Sequence, residues 1–249
     1  MHIVHIVCFP YAFQLLRFDF ITNSRITQLT SINSKNAPVN VFACKDMKFD
    51  HIHIIAPKDS PNTDGIHIGS SSNIEIMDST ISTEDDCVSM SPSSKNINIR
   101  NVMCGPDHRI SVGSLVGGPN EEDVSGLMVT NCTFIGTQNG LRVKTWARSY
   151  ASNVFNLPFE DIIMDNVNNP IIIDQQYCPS HNCEKAPNSC SNIVMCSCSW
   201  LKYMLYKTWF TILVIFFFIN KVTPKFRFEM LSTETLGHLQ LKNCSCFWM

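Results

Sequence analysis

The 249-residue sequence predicts an all-β protein whose chain winds as a parallel β-helix, and three observations lead to this prediction. From about residue 18 to residue 174, short runs rich in Ile, Val and Asn alternate with Ser, Asn, Asp and Gly, a pattern typical of strands and turns. These runs have hardly any of the apolar spacing of an amphipathic helix. A unit of strand, turn, strand and turn then recurs along the chain, as a solenoid coil requires.

The repeat is clearest at five apolar anchors, which are Ile66, Val88, Ile110, Leu141 and Ile171. The first three are 22 residues apart, and the last two follow after 31 and 30 residues, so the longer coils must carry loops. Strands of successive coils lie about 4.8 Å apart, so equivalent positions stack in ladders. An antiparallel sandwich is the alternative, but it needs hairpin turns, and Asn139-Gly140 is the only Asn-Gly pair.

Composition predicts one sizeable globular domain, since 45% of the residues are hydrophobic. The 19 Lys and Arg residues balance 21 Asp and Glu, so no basic field favours nucleic acid as a partner. Twelve cysteines are many for this length, and pairs such as Cys87 with Cys104 and Cys178 with Cys183 suit disulfides in an oxidising compartment. We therefore expect secretion, which the sequon at Asn131 also fits.

Departures from the repeat divide the chain into three predicted segments. Residues 1–16 are apolar without Lys or Arg before their core, and we interpret them as a degraded leader or an irregular N-terminal segment, with an ordinary terminal strand as the alternative. Residues 17–189 are the predicted β-helix. Residues 190–249 form a hydrophobic, Cys-rich tail that we interpret as foreign to the native solenoid, for instance translated intron. Its apolar run, Trp209 to Ile219, is shorter than the about 20 residues of a spanning helix, so stable membrane insertion is not expected.

Ionisable side chains share one register of the predicted coils. Asp64, Asp86 and His108 each lie two positions before an anchor and should form one ladder, which Asn139 continues. Asp85 lies beside Asp86, and neighbours on an extended strand point to opposite faces, so a shared cleft requires a bend. Clustered carboxylates force one acid to keep its proton while another stays ionised. Cleavage of a glycosidic bond requires such an acid and base.

Two cations are predicted on the same surface. Arg142 and Lys144 occupy alternating positions of the next strand, and Arg can bind a carboxylate through two hydrogen bonds. The predicted substrate is therefore an acidic polysaccharide. Calcium binding by the stacked Asp side chains is the alternative, but it does not account for His108, Arg142 and Lys144 on the same face.

Four ordered motifs resemble those of the polygalacturonases, which are glycoside hydrolase family 28. They are SPNTDGIHI, STEDDCVSM, CGPDHRISVGSL and LRVKTW, and the resemblance covers about residues 17–187. The segments RFDFITNS and NPIIIDQQYCP look most like plant exopolygalacturonases of pollen. The resemblance implies a right-handed parallel β-helix, here incomplete at both ends, and inverting hydrolysis of α-1,4-linked galacturonan without a metal. We expect an exo-acting cell-wall enzyme that is monomeric, needs no cofactor, and has pectin as its partner.

The resemblance also implies roles for seven side chains. The general acid is Asp85, the carboxylates that hold and activate water are Asp64 and Asp86, the residue that tunes the acid is His108, and the residues of the substrate site are Arg142, Lys144 and Tyr177. Inverting hydrolysis places acid and base roughly 6.5 to 9.5 Å apart, a separation that this ladder can reach only through a bend at Asp85.

The chain departs from the family pattern at four glycines. Asp107 and Arg109 replace the two that flank the histidine, while Glu84 and Ser91 replace one on each side of the Asp pair. Glycine permits torsions and close approaches that other residues resist. An alternative function is therefore a catalytically impaired remnant that binds galacturonan.

Overall fold

Every regular element that the described residues form is a β-strand, in agreement with the predicted all-β class. The computed structural model describes residues 2–3, 16–34, 37–57, 60, 62–106, 109–115, 117–146, 154–179, 183, 195–205, 208–212, 216–217, 225–227 and 236–247. The strands up to Tyr177 are β1 (His2–Ile3), β2 (Leu16–Asp19), β3 (Thr22–Thr27), β4 (Thr30–Ile32), β5 (Val39–Phe42), β6 (Lys45–Asp50), β7 (His53–Ile55), β8 (Ile66–Gly69), β9 (Ser72–Ser82), β10 (Val88–Met90), β11 (Lys95–Cys104), β12 (Ile110–Leu115), β13 (Val124–Thr130), β14 (Thr133–Ile135), β15 (Asn139–Trp146), β16 (Val154–Phe155), β17 (Leu157–Glu160), β18 (Ile162–Asp165) and β19 (Asn169–Tyr177). The strands of the tail are β20 (Met195–Leu205), β21 (Thr208–Ile212), β22 (Phe216–Phe217), β23 (Lys225–Arg227) and β24 (Leu236–Phe247).

Two parallel sheets run along the solenoid, and each coil contributes to both. The first sheet has the parallel order β2-β5-β8-β10-β12-β15-β19, to which β23 is added, and the second begins with β1-β3-β6-β9-β11. In the first sheet Ile66 pairs with Val88, Val88 with Ile110, Ile110 with Leu141, and Leu141 with Ile171. The five predicted anchors are thus direct neighbours, which confirms the parallel β-helix and its repeat.

The core lies between the sheets, where equivalent apolar residues stack from coil to coil. Ile66, Val88 and Ile68 have no exposed surface. Side chains alternate between the two faces of a strand, so the residue after each anchor lies on the outer face of the first sheet. This alternation puts a row of polar side chains, including His67 and Ser89, on that outer face.

Asparagine occupies left-handed backbone positions near the starts of strands in successive coils, which is one reason why the sequence is rich in it. Asn73 and Asn96 both have φ of 55°, in the left-handed region that Asn tolerates better than most residues. Asn96 Nδ2 donates to Asn73 Oδ1 at 3.1 Å, and Asn73 Nδ2 donates to Asp46 Oδ1 at 2.7 Å. These side chains of successive coils therefore bond to one another.

The tail pairs in a different sense from the coils. Strand β24 runs antiparallel to β17, β18 and β20, and β23 runs antiparallel to β19. Among the described residues, no helix is long and apolar enough to cross a membrane. The leader interpretation of residues 1–16 falls mostly outside the described residues, and the division of the chain into three segments stays a prediction.

Candidate active site

The loops that precede β8 and β10 bring three carboxylates together. Asp64 lies two residues before β8, and residues 83–87 before β10 leave the extended conformation. The backbone N–H of Asp86 donates to Asp85 Oδ1 at 2.9 Å. One oxygen of each of Asp64, Asp85 and Asp86 lies within 4.8 Å of the others. A bend therefore does place Asp85 in the same cluster as its neighbour.

Tight packing and a disulfide position this bend. A Cβ atom added at Gly65 would lie 2.3 Å from Ile81 Cγ2 and 2.5 Å from the Cys87 carbonyl oxygen, so only glycine fits. Gly65 N–H donates to the Asp86 carbonyl oxygen at 2.8 Å. The structure joins Cys87 to Cys104 at the end of β11. The loop of the acid pair is thus fixed to the coil below it and to the second sheet.

Asp85 is the carboxyl group of this cluster whose pKa is raised. Burial is the largest cause that raises the pKa of this half-buried carboxyl, and the negative charges of Asp86 and Asp64 raise it further. The charges of Arg109 and Lys144 act in the opposite direction but do not cancel these effects. The net pKa of Asp85 is raised, so it keeps its proton to a higher pH than an ordinary Asp.

Asp64 is shifted in the opposite direction. Burial is the largest single cause and raises the pKa of Asp64, but hydrogen bonds from His67 and Ser89 and the charges of His67 and Lys144 together outweigh it, so the net pKa of Asp64 is lowered. Ser89 Oγ donates to Asp64 Oδ2 at 2.6 Å, and His67 Nδ1 lies 3.4 Å from the same oxygen. Asp64 therefore stays ionised at pH values at which Asp85 is still protonated.

Asp86 is the most buried of the three carboxylates, with 1% of its surface exposed. Its Oδ2 accepts from Ser111 Oγ and from Lys144 Nζ, the latter at 3.2 Å. Its Oδ1 lies 2.6 Å from Arg109 Nε. Cations thus contact this carboxylate through both of its oxygens.

A tyrosine ring orders the predicted substrate-binding cations. The Arg142 guanidinium lies 5.2 Å and Lys144 Nζ 5.4 Å from the centroid of the Tyr177 ring, which stacks edge-on against Trp146 at 5.2 Å. Arg142 Nη2 also lies 3.8 Å from Asp174 Oδ2. The structure therefore brings Arg142, Lys144 and Tyr177 into one cluster, and Lys144 connects that cluster to Asp86.

A bulge beside Gly113 shapes the strand that neighbours Lys144. The register between β12 and β15 shifts after Val112. Gly113 has φ of 112°, and a Cβ atom there would lie 2.1 Å from the Lys144 carbonyl oxygen. The glycine at this position is required by both the torsion and the close approach.

The remaining residues predicted for the site and the disulfides are only partly among the described residues. His108 and Asp107 lie outside the described residues, so the role predicted for His108 stays a prediction. With its amide oriented so that Oδ1 faces the guanidinium, Asn139 accepts from Arg109 Nη1 at 2.8 Å. Cys178 and Cys183 form a second disulfide.

Sequence reasoning missed the polar side chains that contact the acids. Each of these side chains follows an anchor by one position; they are His67, Ser89 and Ser111. Ser89 pairs with His67 on one side and with Ser111 on the other, and Ser111 pairs with Arg142. The same repeat that located the Asp ladder could have found them, had it been read one position after each anchor.

Calcium was the alternative interpretation of the Asp cluster. Calcium takes six to eight oxygen ligands in proteins. Here Asp86 Oδ1 faces Arg109, and Asp86 Oδ2 faces Lys144 and Ser111, so a cation would have to compete with two positive charges. A carboxyl group with a raised pKa and one with a lowered pKa, beside two cations, suit bond cleavage in an anionic substrate better.

Comparison with known proteins gives a consistent result. Residues 11–197 match the sequence profile of Glycosyl hydrolases family 28. A polygalacturonase of Gossypium barbadense is 49% identical over 174 residues, which are 70% of this chain and 43% of that protein. An exopolygalacturonase of Platanus acerifolia is 48% identical over 170 residues, 68% of this chain and 45% of that protein.

Among solved structures, the endo-xylogalacturonan hydrolase of Aspergillus tubingensis is similar with a TM-score of 0.60 and 30% identity, over 65% of this chain and 45% of that one. The chain spans less than half the length of the curated relatives it matches. Its fold, its profile match and its identity to these relatives agree, and the chain belongs to glycosyl hydrolases family 28.

Proposed function

We propose that the chain hydrolyses α-1,4-galacturonosidic bonds in pectin or polygalacturonan. The observation that carries this proposal is the opposite shift of two neighbouring carboxyl groups: the pKa of Asp85 is raised and that of Asp64 is lowered. Neighbouring groups whose pKa values are pushed apart mark the acid and the base of a site. The names of two similar proteins, polygalacturonase and exopolygalacturonase, support the same substrate.

In the proposed reaction Asp85 gives its proton to the glycosidic oxygen as the bond to the anomeric carbon breaks. Asp64 and Asp86 orient a water molecule, which attacks that carbon and passes a proton to one of them. Arg142 and Lys144 would bind the carboxylate of the galacturonate, held in place by the Tyr177 ring. The reaction adds one water molecule across one glycosidic bond, so it needs no oxidant or reductant.

Asp85→Asn tests the acid directly. An amide cannot supply the proton, so we expect release of reducing ends from polygalacturonate to fall by about 100-fold or more. Glu84→Gln is the matched control, because it removes a neighbouring charge from a residue with no part in the proposed chemistry. If Asp85→Asn hydrolysed polygalacturonate as fast as the unaltered chain, the assignment would be wrong.

Inversion and exo attack are proposed for this reaction as well. The exopolygalacturonase among the similar proteins supports exo attack, which would release monogalacturonate from the earliest time points. One oxygen from each of the three carboxylates lies within 4.8 Å of the others, a shorter separation than the roughly 6.5 to 9.5 Å between carboxyl groups that is typical of inverting enzymes. This distance favours retention of the anomeric configuration as the alternative stereochemical outcome. Proton NMR of the first anomer released distinguishes retention from inversion.

A galacturonan-binding protein without activity is the second candidate function. It is favoured by the contacts of Asp86, whose two oxygens face Arg109 and Lys144. Such a protein would bind oligogalacturonate in calorimetry but release no reducing ends, whereas the hydrolase would do both.

We also propose that the chain acts outside the plant cell, as a monomer. The disulfides Cys87–Cys104 and Cys178–Cys183 support an oxidising compartment. Asn131 of the sequon is exposed, so its side chain is accessible to glycosylation. Deglycosylation of the protein from its source tissue should lower its mass, and sedimentation should give the mass of one chain; a cytosolic pool with free thiols would contradict the proposal.

A further inference from the structure

Arg109 lies inside the carboxylate cluster rather than at its rim. Only 8% of its surface is exposed. Its Nε lies 2.6 Å from Asp86 Oδ1, and its Nη2 lies 3.7 Å from Asp85 Oδ1. Its carbonyl oxygen accepts from the Cys87 N–H at 2.7 Å, which fixes the backbone of Arg109 to the loop of the acid pair. The backbone just before β12 thus holds the guanidinium against both acids.

In the coils next to Arg109 that the structure describes, no cation occupies the equivalent position. Arg109 comes one residue before its anchor, and the equivalent residues of the neighbouring coils are Gly65, Cys87 and Gly140. None of these residues carries a charge, and Cys87 forms a disulfide with Cys104. Arg109 therefore adds a charge that the repeat does not otherwise supply.

This extra charge occupies the groups that the proposed reaction needs. A guanidinium is permanently charged and pairs strongly with carboxylates through its planar fork. Arg109 Nε lies 2.6 Å from Asp86 Oδ1 without hydrogen-bond geometry, so the guanidinium occupies the space from which a water molecule would approach that oxygen. We propose that Arg109 is an internal counter-ion of Asp85 and Asp86 that limits turnover in this chain, an inference that rests on the proposed hydrolysis.

The surroundings of Asp85 allow the effect of Arg109 to be isolated. Among the described residues, the charged groups that act on Asp85 are Asp64 before β8, its neighbour Asp86, Arg109 before β12, and Lys144 on β15. Burial and the two acids raise the pKa of Asp85, while Arg109 and Lys144 lower it. Removal of the Arg109 charge should therefore raise the pKa of Asp85 further and move the basic limb of the pH–rate profile to higher pH.

Asp86 would not be left without partners by this change. Ser111 Oγ and Lys144 Nζ still contact its Oδ2. A variant without Arg109 should therefore fold, although the remaining carboxylates repel one another and the melting temperature should fall. Lower stability together with higher activity is a result that a merely structural arginine would not produce.

The kinetic test compares Arg109→Gln with Arg109→Lys and with Arg100→Gln. Arg100 lies on β11 and pairs with Glu75 at 3.1 Å, so it serves as a control outside the site. We expect Arg109→Gln to raise kcat about tenfold, which corresponds to loss of about 1.4 kcal/mol from the barrier. The basic limb of the pH–rate profile should move to higher pH in Arg109→Gln. In Arg109→Lys and Arg100→Gln that limb should stay at the same pH as in the unaltered chain. A gain that is equal in Gln and Lys would show that bulk matters rather than charge, and an unchanged or lower kcat in Arg109→Gln would overturn the inference.

A second measurement separates this inference from the proposed function. Carbon-13 NMR titration of the Asp85 carboxyl needs no substrate, and the pKa should rise in Arg109→Gln but not in Arg100→Gln. If the pKa does not rise, Arg109 is not the counter-ion, whatever the activity. If it rises while neither the unaltered chain nor any variant cleaves polygalacturonate, the pairing stands, but the proposed hydrolysis and the limit on turnover are both refuted.

Discussion

Hydroxyl groups contact two of the carboxylates on which the proposed chemistry depends. Ser89 donates to Asp64 at 2.6 Å, and Ser111 donates to the buried Asp86. Hydrogen bonds to a charged carboxylate favour that charged form, which explains why the pKa of Asp64 is lowered although burial alone would raise it. Within the described part of the chain no serine hydroxyl donates to the Asp85 carboxyl, and burial is the largest cause of its raised pKa. The division between base and acid therefore rests on single side chains.

The acidic limb of the pH–rate profile should report Asp64. Hydrolysis needs Asp64 ionised, so activity is lost as pH falls through its lowered pKa. Ser89→Ala removes one of the two hydrogen bonds that lower this pKa, so the acidic limb of kcat/KM should move to higher pH. Ser72→Ala in the second sheet is the control. A limb that stays in place in Ser89→Ala would contradict the role of Asp64.

Tyr177 should act through the cations that lie over its ring. A cation–π contact is worth roughly 0.5 to 2 kcal/mol, so Tyr177→Leu should raise KM for oligogalacturonate between about twofold and thirtyfold. Tyr177→Phe keeps the ring over which Arg142 and Lys144 lie, and it should retain most of the affinity. Equal loss in both variants would show that the hydroxyl group, rather than the ring, carries the effect.

Loops and strand ends, rather than strand centres, position the site. Asp64 and Asp86 lie in the loops that enter β8 and β10, and the disulfide between Cys87 and Cys104 ties the second loop to β11. The strands themselves supply a rigid register of about 4.8 Å between coils. A flexible cluster of like charges would spread apart, so these constraints are what keep the pKa values of Asp85 and Asp64 separated.

The two disulfides should differ in their effect on stability. In the chain-entropy model, closing the loop from Cys87 to Cys104, 17 residues apart, is worth about 3 kcal/mol, and closing that from Cys178 to Cys183, five residues apart, about 2 kcal/mol. Replacing each pair by serine should lower the free energy of unfolding in that order, as measured by urea denaturation.

The kinetic consequence gives a further contrast between the disulfides. Only the Cys87→Ser, Cys104→Ser variant should also reduce kcat, because only that bridge holds the loop of Asp85 and Asp86. Loss of kcat in the Cys178→Ser, Cys183→Ser variant alone would refute this assignment.

The whole molecule is a stack of parallel coils against which antiparallel strands of the tail lie. Coils bury their apolar residues only against their neighbours, so the outermost strands of such a stack expose hydrogen-bonding groups. Strand β24 pairs with β17 and β18, and β23 pairs with β19. In this structure the tail therefore covers strands that would otherwise form an edge.

Removal of the tail should make the stack prone to association. A chain of residues 16–189 leaves β17 and β18 without their antiparallel partner, so light scattering should rise with its concentration more steeply than for the full chain. Ile163 on β18 is 37% exposed, and Ile163→Lys in the shortened chain places a charge on the new edge. This change should restore solubility, and a shortened chain that stays monomeric without it would contradict the covering role of the tail.

The sequence by itself determined the β-helix and the register of its coils. The first three anchors and the ladder of Asp64, Asp86 and His108 recur every 22 residues, and in a solenoid an equal spacing places such residues side by side in space. The types of residue at Asp64, Asp86, Arg142 and Lys144 were enough to indicate acid, base and anion binding. The four sequence motifs that contain these residues occur in the same order as the motifs of the polygalacturonases.

Only the tertiary structure decided how those groups act on one another. Lys144 contacts Asp86 across 58 residues of sequence, and Arg109 turns inward onto Asp85 and Asp86 from the next coil. The shifts of the carboxyl groups depend on burial and on distances of a few ångströms, which the register alone does not specify. Spacing along the chain can say which side chains are neighbours, but desolvation and side-chain direction decide which of them hold a proton and which hold a counter-ion.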